Sequence, residues 1–141
     1  MDEKKCSGWD WGALLLRLAI GSIFICHGYQ KWFEWGMDAV TDTFGKMGVP
    51  FPSISAYAAA TTEFLGGILL LVGFNTRMAA ALLSIVMAVA IITAHAPSFD
   101  KPYLGFIGQG GFEFPLALLA GCLALALNGG GDCSADAKLA K

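Results

Sequence analysis

Residues 11–35, WGALLLRLAIGSIFICHGYQKWFEW, constrain this chain more than any other stretch: they are apolar enough to cross a bilayer, yet they carry Arg17, His27 and Lys31. From Trp11 to Phe33 the run meets the roughly 20 residues that a hydrocarbon core asks of a helix. Its eight strongly apolar residues, Leu14, Leu15, Leu16, Leu18, Ile20, Ile23, Phe24 and Ile25, favour insertion by about 0.3–0.6 kcal/mol each. One uncompensated central arginine removes roughly 2.5–3.5 kcal/mol, about their sum. Another segment must therefore supply a partner. On a helix Arg17, Gly21, Phe24, Gly28, Lys31 and Trp35 recur at steps of three and four, with His27 beside them. That face, basic where it is not small or aromatic, is expected to look into a bundle.

Composition agrees. The 141 residues are 56% hydrophobic and only 14% charged, with a mean hydropathy of +0.62, above the roughly 45–50% apolar content of soluble domains. An integral membrane protein is expected, with the lipid bilayer as its surroundings. The net charge of −2 offers no basic surface for nucleic acid. The first apolar segment does not read as a cleavable signal: it is long, follows the mixed-sign MDEKK, and lacks a small-residue cleavage site. Cys6, Cys26, Cys122 and Cys133 form no C-x-x-C pair, so neither a zinc site nor a dithiol motif is indicated. Cys26 and Cys122 read as small core residues. A Cys6 to Cys133 bridge is not expected if both face a reducing cytoplasm.

One domain, 1–141, is read as an all-α integral membrane four-helix transmembrane bundle. A short interfacial amphipathic helix lies between spans 1 and 2. The spans are placed at 12–33, 54–74, 78–95 and 112–128, with polar tails at 1–10 and 129–141. Within residues 34–53, Trp35, Met37, Val40, Phe44 and Met47 recur at helical steps and Gly48, Pro50 and Pro52 close the segment. This helix is expected to lie as a lid over the bundle. In span 2, Ala56, Ala59, Ala60, Gly66 and Gly67 surround Glu63 with side chains small enough for close helix approach. Asn75, Thr76 and Arg77 read as a tight turn, Pro97 stops span 3 after His95, and 98–111 reads as an interfacial loop. Glu113 and Pro115 suit the first turn of span 4.

Four spans put both termini on one side. Lys4, Lys5, Arg77, Lys138 and Lys141 share that side, against Lys31, Lys46 and Lys101, so the positive-inside rule makes the termini cytoplasmic. His27, Lys31, His95, Gln109 and Glu113 then gather at the outer end. Arg17 lies in the inner half, where it either snorkels to the interface or meets Glu63 as an electrostatic partner. Glu63, near the midplane, is either protonated or paired with a cation such as Arg17. Imidazoles, carboxylates, the Lys31 amine and aromatic rings converge on one end, which suits an amphipathic aromatic head group and proton movement, as at a quinone site. The expected pocket opens outward and is lined by His27, Lys31, Trp32, Glu63, His95 and Glu113. His27, His95 and Glu113 make a weak case for a metal, since no i, i+3 or i, i+4 ligand pair supports one.

The segments LLLRLAIGSIFICHGYQKW, MGVPFP, TTEFLGGILLLVGFNTR and GGFEFPLALLAGCLALAL, with His95 closing the third span, resemble the DoxX family of small four-span membrane proteins. The resemblance covers residues 14–128 and includes the combination R…HG-x-x-K…E-x-x-GG…G-x-x-T-R…H…G-[FY]-E. The resemblance implies a compact bundle in a bacterial inner membrane, related to subunits associated with thiosulfate:quinone oxidoreduction. The family's motif positions carry over onto Arg17, His27, Lys31, Glu63, Arg77, His95 and Glu113. The function expected is the membrane subunit of an oxidoreductase. His27, Glu63, His95 and Glu113 would be its chemical groups, Arg17, Lys31 and Trp32 its quinone contacts, and a protein partner in a redox complex its electron source. The alternative is a non-enzymatic membrane module that binds a small molecule or anchors a partner. Glycine-rich faces also suit a homo-oligomer.

Overall fold

A computed structural model describes residues 7–95 and 111–140; the expectations on Cys6, Pro97, Lys101 and Gln109 lie outside them. Among the described residues every regular element is helical. Helix α1 runs Gly8–Tyr29 and continues as a π-helical turn, Gln30–Trp35. The others are α2 (Met37–Lys46), α3 (Pro52–Val72), α4 (Thr76–Ala90, extended by a π turn, Ile91–His95), α5 (Glu113–Asn128) and α6 (Ala135–Leu139). Gly8–Trp35, Pro52–Val72 and Thr76–His95 are long and apolar enough to cross a membrane, whereas α5 is a shorter apolar helix. Its 16 residues span about 24 Å at helical rise.

The expected spans fall on α1, α3, α4 and α5, with shifted ends. The tight turn lies earlier than expected, because Gly73 (φ 74°) and Asn75 (φ 48°) take up the left-handed conformations that reverse the chain, and Thr76 and Arg77 already belong to α4. On α1 the anticipated face is buried at Arg17, Gly21, Phe24 and Gly28. Trp35, placed on the same face, is 56% exposed. The π turn explains this: its wider winding advances the register and swings the end of the helix outward.

Helices α1 and α3 pack antiparallel through glycines. A Cβ on Gly28 would stand 2.5 Å from Phe64 N, and one on Gly21 would stand 2.9 Å from Gly67 O and 3.1 Å from Leu71 N. Small residues thus let two backbones touch. Helices α4 and α5 form the second pair, and Leu83, Met87, Leu118, Cys122 and Leu125 join Ile20, Phe24 and Leu70 in one core.

That register decides Arg17. Pairing 28 with 64 and 21 with 71 carries Arg17 to the level of the α3–α4 turn, far from Glu63. The expected Arg17–Glu63 partnership is therefore corrected, and so is snorkelling, since Arg17 is only 2% exposed. Its guanidinium is held by carbonyls instead. Nε donates to Leu70 O (2.9 Å), Nη2 to Leu71 O (3.2 Å), and Nη1 to Gly130 O (3.0 Å) and Cys133 O (3.1 Å). The cation thus adds donors at the negative end of α3, where Leu70 O also accepts from Gly73 N (3.1 Å), and Gly73 leaves room for it, since a Cβ there would meet Arg17 Cζ at 2.5 Å.

Residues 129–139 are a docked segment rather than the expected polar tail. Asp136 N donates to Gly73 O (2.9 Å), and its carboxylate accepts from Asn75 N (2.6 Å) and Thr76 N (2.9 Å), capping α4. Asp10 accepts from Asp132 N (2.8 Å), tying the start of α1 to the same segment. Burial pushes the Asp136 carboxyl upward, but the N–H groups of Thr76 and Asn75 and the nearby Arg17 guanidinium outweigh it and hold the pKa below the ordinary carboxylate value. A carboxyl depressed in the folded state stabilises docking above its unfolded pKa, about 3.9. That contribution is lost as pH falls through the lower folded value. Hydrogen-exchange protection of the Ala135–Leu139 amides, corrected for intrinsic rates, should therefore drop on acidification below about pH 4. Asp136→Asn should be less protected already at neutral pH and should lack that transition.

Candidate functional site

At the end of the bundle away from the termini the helices enclose a cavity of about 610 Å³. Its polar floor is an ion pair: Lys31 Nζ donates to Glu63 Oε2 at 2.5 Å, with side-chain exposures of 12% and 5%. Both positions follow from local sequence. Glu63 sits among buried Ala60, Gly66 and Gly67 on α3, which leave α1 free to approach. Lys31 lies in the π turn at the point where the continued register brings α1 past residue 61. A buried carboxylate needs a partner to offset desolvation, and Lys31 meets that need.

His27 lines the same cavity, half-buried, with its ring 6.4 Å from Phe114 at 43°. Neither ring nitrogen makes a hydrogen bond among the described residues. His95, closing the π turn on α4, is also on the wall. The rest is apolar or small: Phe24 from α1, Ala58, Ala59 and Thr62 from α3, Val86 and Met87 from α4, and Phe114, Pro115 and Leu118 from α5. Phe44 of α2, with Met47 and Val49 just beyond it, covers the end of the cavity.

Four of the anticipated site residues, His27, Lys31, Glu63 and His95, are thus brought together. Trp32 is not on the wall and packs edge-on against Tyr57, ring centroids 5.5 Å apart. Glu113 opens α5 as expected, but its neighbours Phe114 and Pro115 take the place on the wall. Arg17 lies at the opposite end. Phe114 lies outside the expected set, although the FEFP run puts it directly beside Glu113. Among the described residues no three of His, Cys, Asp and Glu are grouped to hold a metal ion.

Among the described residues, an all-helical fold with three membrane-length helices, a buried ion pair and an apolar cavity defines a small helical membrane protein. The DoxX family pattern matches residues 12–96, and the chain belongs to that family. It is 36% identical to a Bacillus subtilis (strain 168) protein named "Putative oxidoreductase CatD", over 86% of this chain and 81% of that one. It is 30% identical to the Mycobacterium tuberculosis membrane protein Rv3486, over 91% and 81%. It is 29% identical to the Escherichia coli (strain K12) inner membrane protein YphA, over 91% and 94%. No solved structure matches the chain.

Proposed function

We propose that the cavity receives the polar ring of a quinone or quinol and that the protein serves as the membrane subunit of an oxidoreductase. The observation that carries this reading is a buried Lys31–Glu63 pair beside His27 at the floor of an otherwise apolar cavity. Lys31 has N–H groups beyond the one given to Glu63. Glu63 keeps a second carboxylate oxygen without a hydrogen bond among the described residues, and His27 is both donor and acceptor. Such a floor can donate to a ring carbonyl and accept from a ring hydroxyl, so it holds both redox forms of one ligand. Glu63, His27 and His95 lead from the floor toward the mouth and offer a path for protons, while electrons come from a protein partner.

In this reading α5 completes a four-span bundle and α2 lies at the interface. The termini are cytoplasmic, in a bacterial inner membrane. The oxidoreductase name of the Bacillus subtilis relative supports the same direction. A second reading, a non-enzymatic module that holds a small molecule or partner, draws on the same ion pair, since a pair so well enclosed also links α1 to α3.

Binding of a quinone analogue to the detergent-solubilised protein tests the proposal. His27→Ala and Glu63→Gln should each weaken it roughly 10- to 100-fold, the loss of about 1.5–3 kcal/mol that goes with a hydrogen bond to a charged group. Unchanged affinity in both variants, with helicity and melting temperature retained, would remove the site's chemical basis.

A further inference from the structure

The walls of the cavity differ between its faces in a way that the head-group reading does not use. Gly66 and Leu83 close the space between α3 and α4 below Glu63: a Cβ on Gly66 would lie 3.2 Å from Leu83 Cγ. Continuing this antiparallel pairing sets Thr62 level with residue 87 and Ala58 level with residue 91. Above the closure α3 thus offers only small side chains, Thr62, Ala59 and Ala58, to α4. All three line the cavity, as do Ile85 and Val89 opposite. Ile85 is also 60% exposed and Val89 41%, and Ala58 is exposed too. The same residues therefore border the cavity and the hydrocarbon that surrounds a membrane protein. By contrast, the polar groups, Lys31, Glu63 and His27, lie on α3 and α1, away from this opening.

We propose that the cavity opens sideways into the bilayer between α3 and α4 and that its ligand is a membrane-resident molecule whose hydrocarbon tail leaves through that gap. The proposal rests on the reading of the floor as a head-group site. Polarity falls from floor to gap in the order that an amphiphile requires: ion pair and imidazole first, then small apolar side chains, then the lipid-facing stripe of α4. A long chain needs no desolvation along this route, since it passes from hydrocarbon to apolar wall. Ala58 and Ala59 leave the space that a larger side chain would fill. A ligand drawn from water would gain nothing from an opening at the depth of Glu63.

Two probes and two variants test this. A ring-only benzoquinone and the same ring bearing a decyl chain are titrated into the protein in lipid nanodiscs, with concentrations expressed per lipid so that partitioning cancels. In the wild type the decyl compound should bind at least tenfold more tightly. Ala58→Phe and Val89→Trp, on opposite sides of the gap and both at exposed positions, should bring the ratio of the two affinities close to one. Equal affinity for the two probes in the wild type, or variants that leave the tail's advantage intact or weaken both probes alike, would overturn the sideways route while leaving the head-group reading standing. Failure of both probes to bind the wild type would overturn the two together.

Discussion

Arg17→Ala should produce one of the largest losses of stability of any single substitution in this protein. The guanidinium places four N–H donors on the carbonyls of Leu70, Leu71, Gly130 and Cys133. Removing it leaves those groups short of donors in a buried pocket and frees the C-terminal segment from α3. Breaking a buried charged network typically costs about 3–5 kcal/mol, and a lower melting temperature in detergent should be accompanied by faster proteolysis after Gly129. Arg17→Lys should recover only part of the loss, because a single ammonium cannot reach carbonyls spread around a planar fork. A melting temperature unchanged in Arg17→Ala would show that the carbonyls find other partners.

Gly28→Val should act at the other end by forcing α1 and α3 apart. The new Cβ would lie 2.5 Å from Phe64 N and 2.7 Å from Phe64 Cα, and helix backbone, unlike a flexible side-chain tip, cannot step aside. Overpacking of this kind typically costs about 1–3 kcal/mol. Lys31 lies three residues further along α1, so the separation should also pull it from Glu63 and weaken ligand binding. Gly12→Ala is the control, since nothing lies within 4 Å of a Cβ there. Equal melting temperatures for Gly28→Val and Gly12→Ala would refute the close approach of the helices.

The buried face of α1 is legible in the sequence because its periodicity is carried by residues that have few other uses in an apolar helix: one arginine, two glycines and a phenylalanine. The three membrane-length helices are legible from the length of their apolar runs, and so are Glu63 and its small neighbours. The identity of the partner of Glu63 is not. Counting residues inward from each helix end sets Arg17 in the inner half and Glu63 near the midplane, within a long side chain's reach, but the glycine contacts fix the sliding of α1 along α3, and only that register shows Lys31 arriving first. Local sequence also gives little warning of a π turn, so Trp35 reads as a continuation of a face that has already rotated away. The docked C-terminal segment is hidden for a different reason. Glycine, serine and aspartate are what an unstructured tail contains, and nothing local distinguishes Ser134 as the helix cap whose side chain accepts from Ala137 N. Among the site residues, His27 and His95 are conspicuous as imidazoles in apolar runs, whereas Phe114 carries no mark that sets it apart from the other aromatics.

The carbonyl cage of Arg17 also has a consequence for biogenesis. The first helix enters the membrane during synthesis, but Gly130, which completes part of the cage, lies 113 residues further along the chain. At a translation rate of roughly 5–20 residues per second, the arginine waits about 6–23 s before these acceptors emerge from the ribosome. Until then α1 holds a cation that only α3, or the insertion machinery, can accommodate. Docking of residues 129–139 against Arg17 therefore waits until α3, α4 and α5 have been made, and a truncation or fusion placed just after Asn128 would act on the far earlier helix α1.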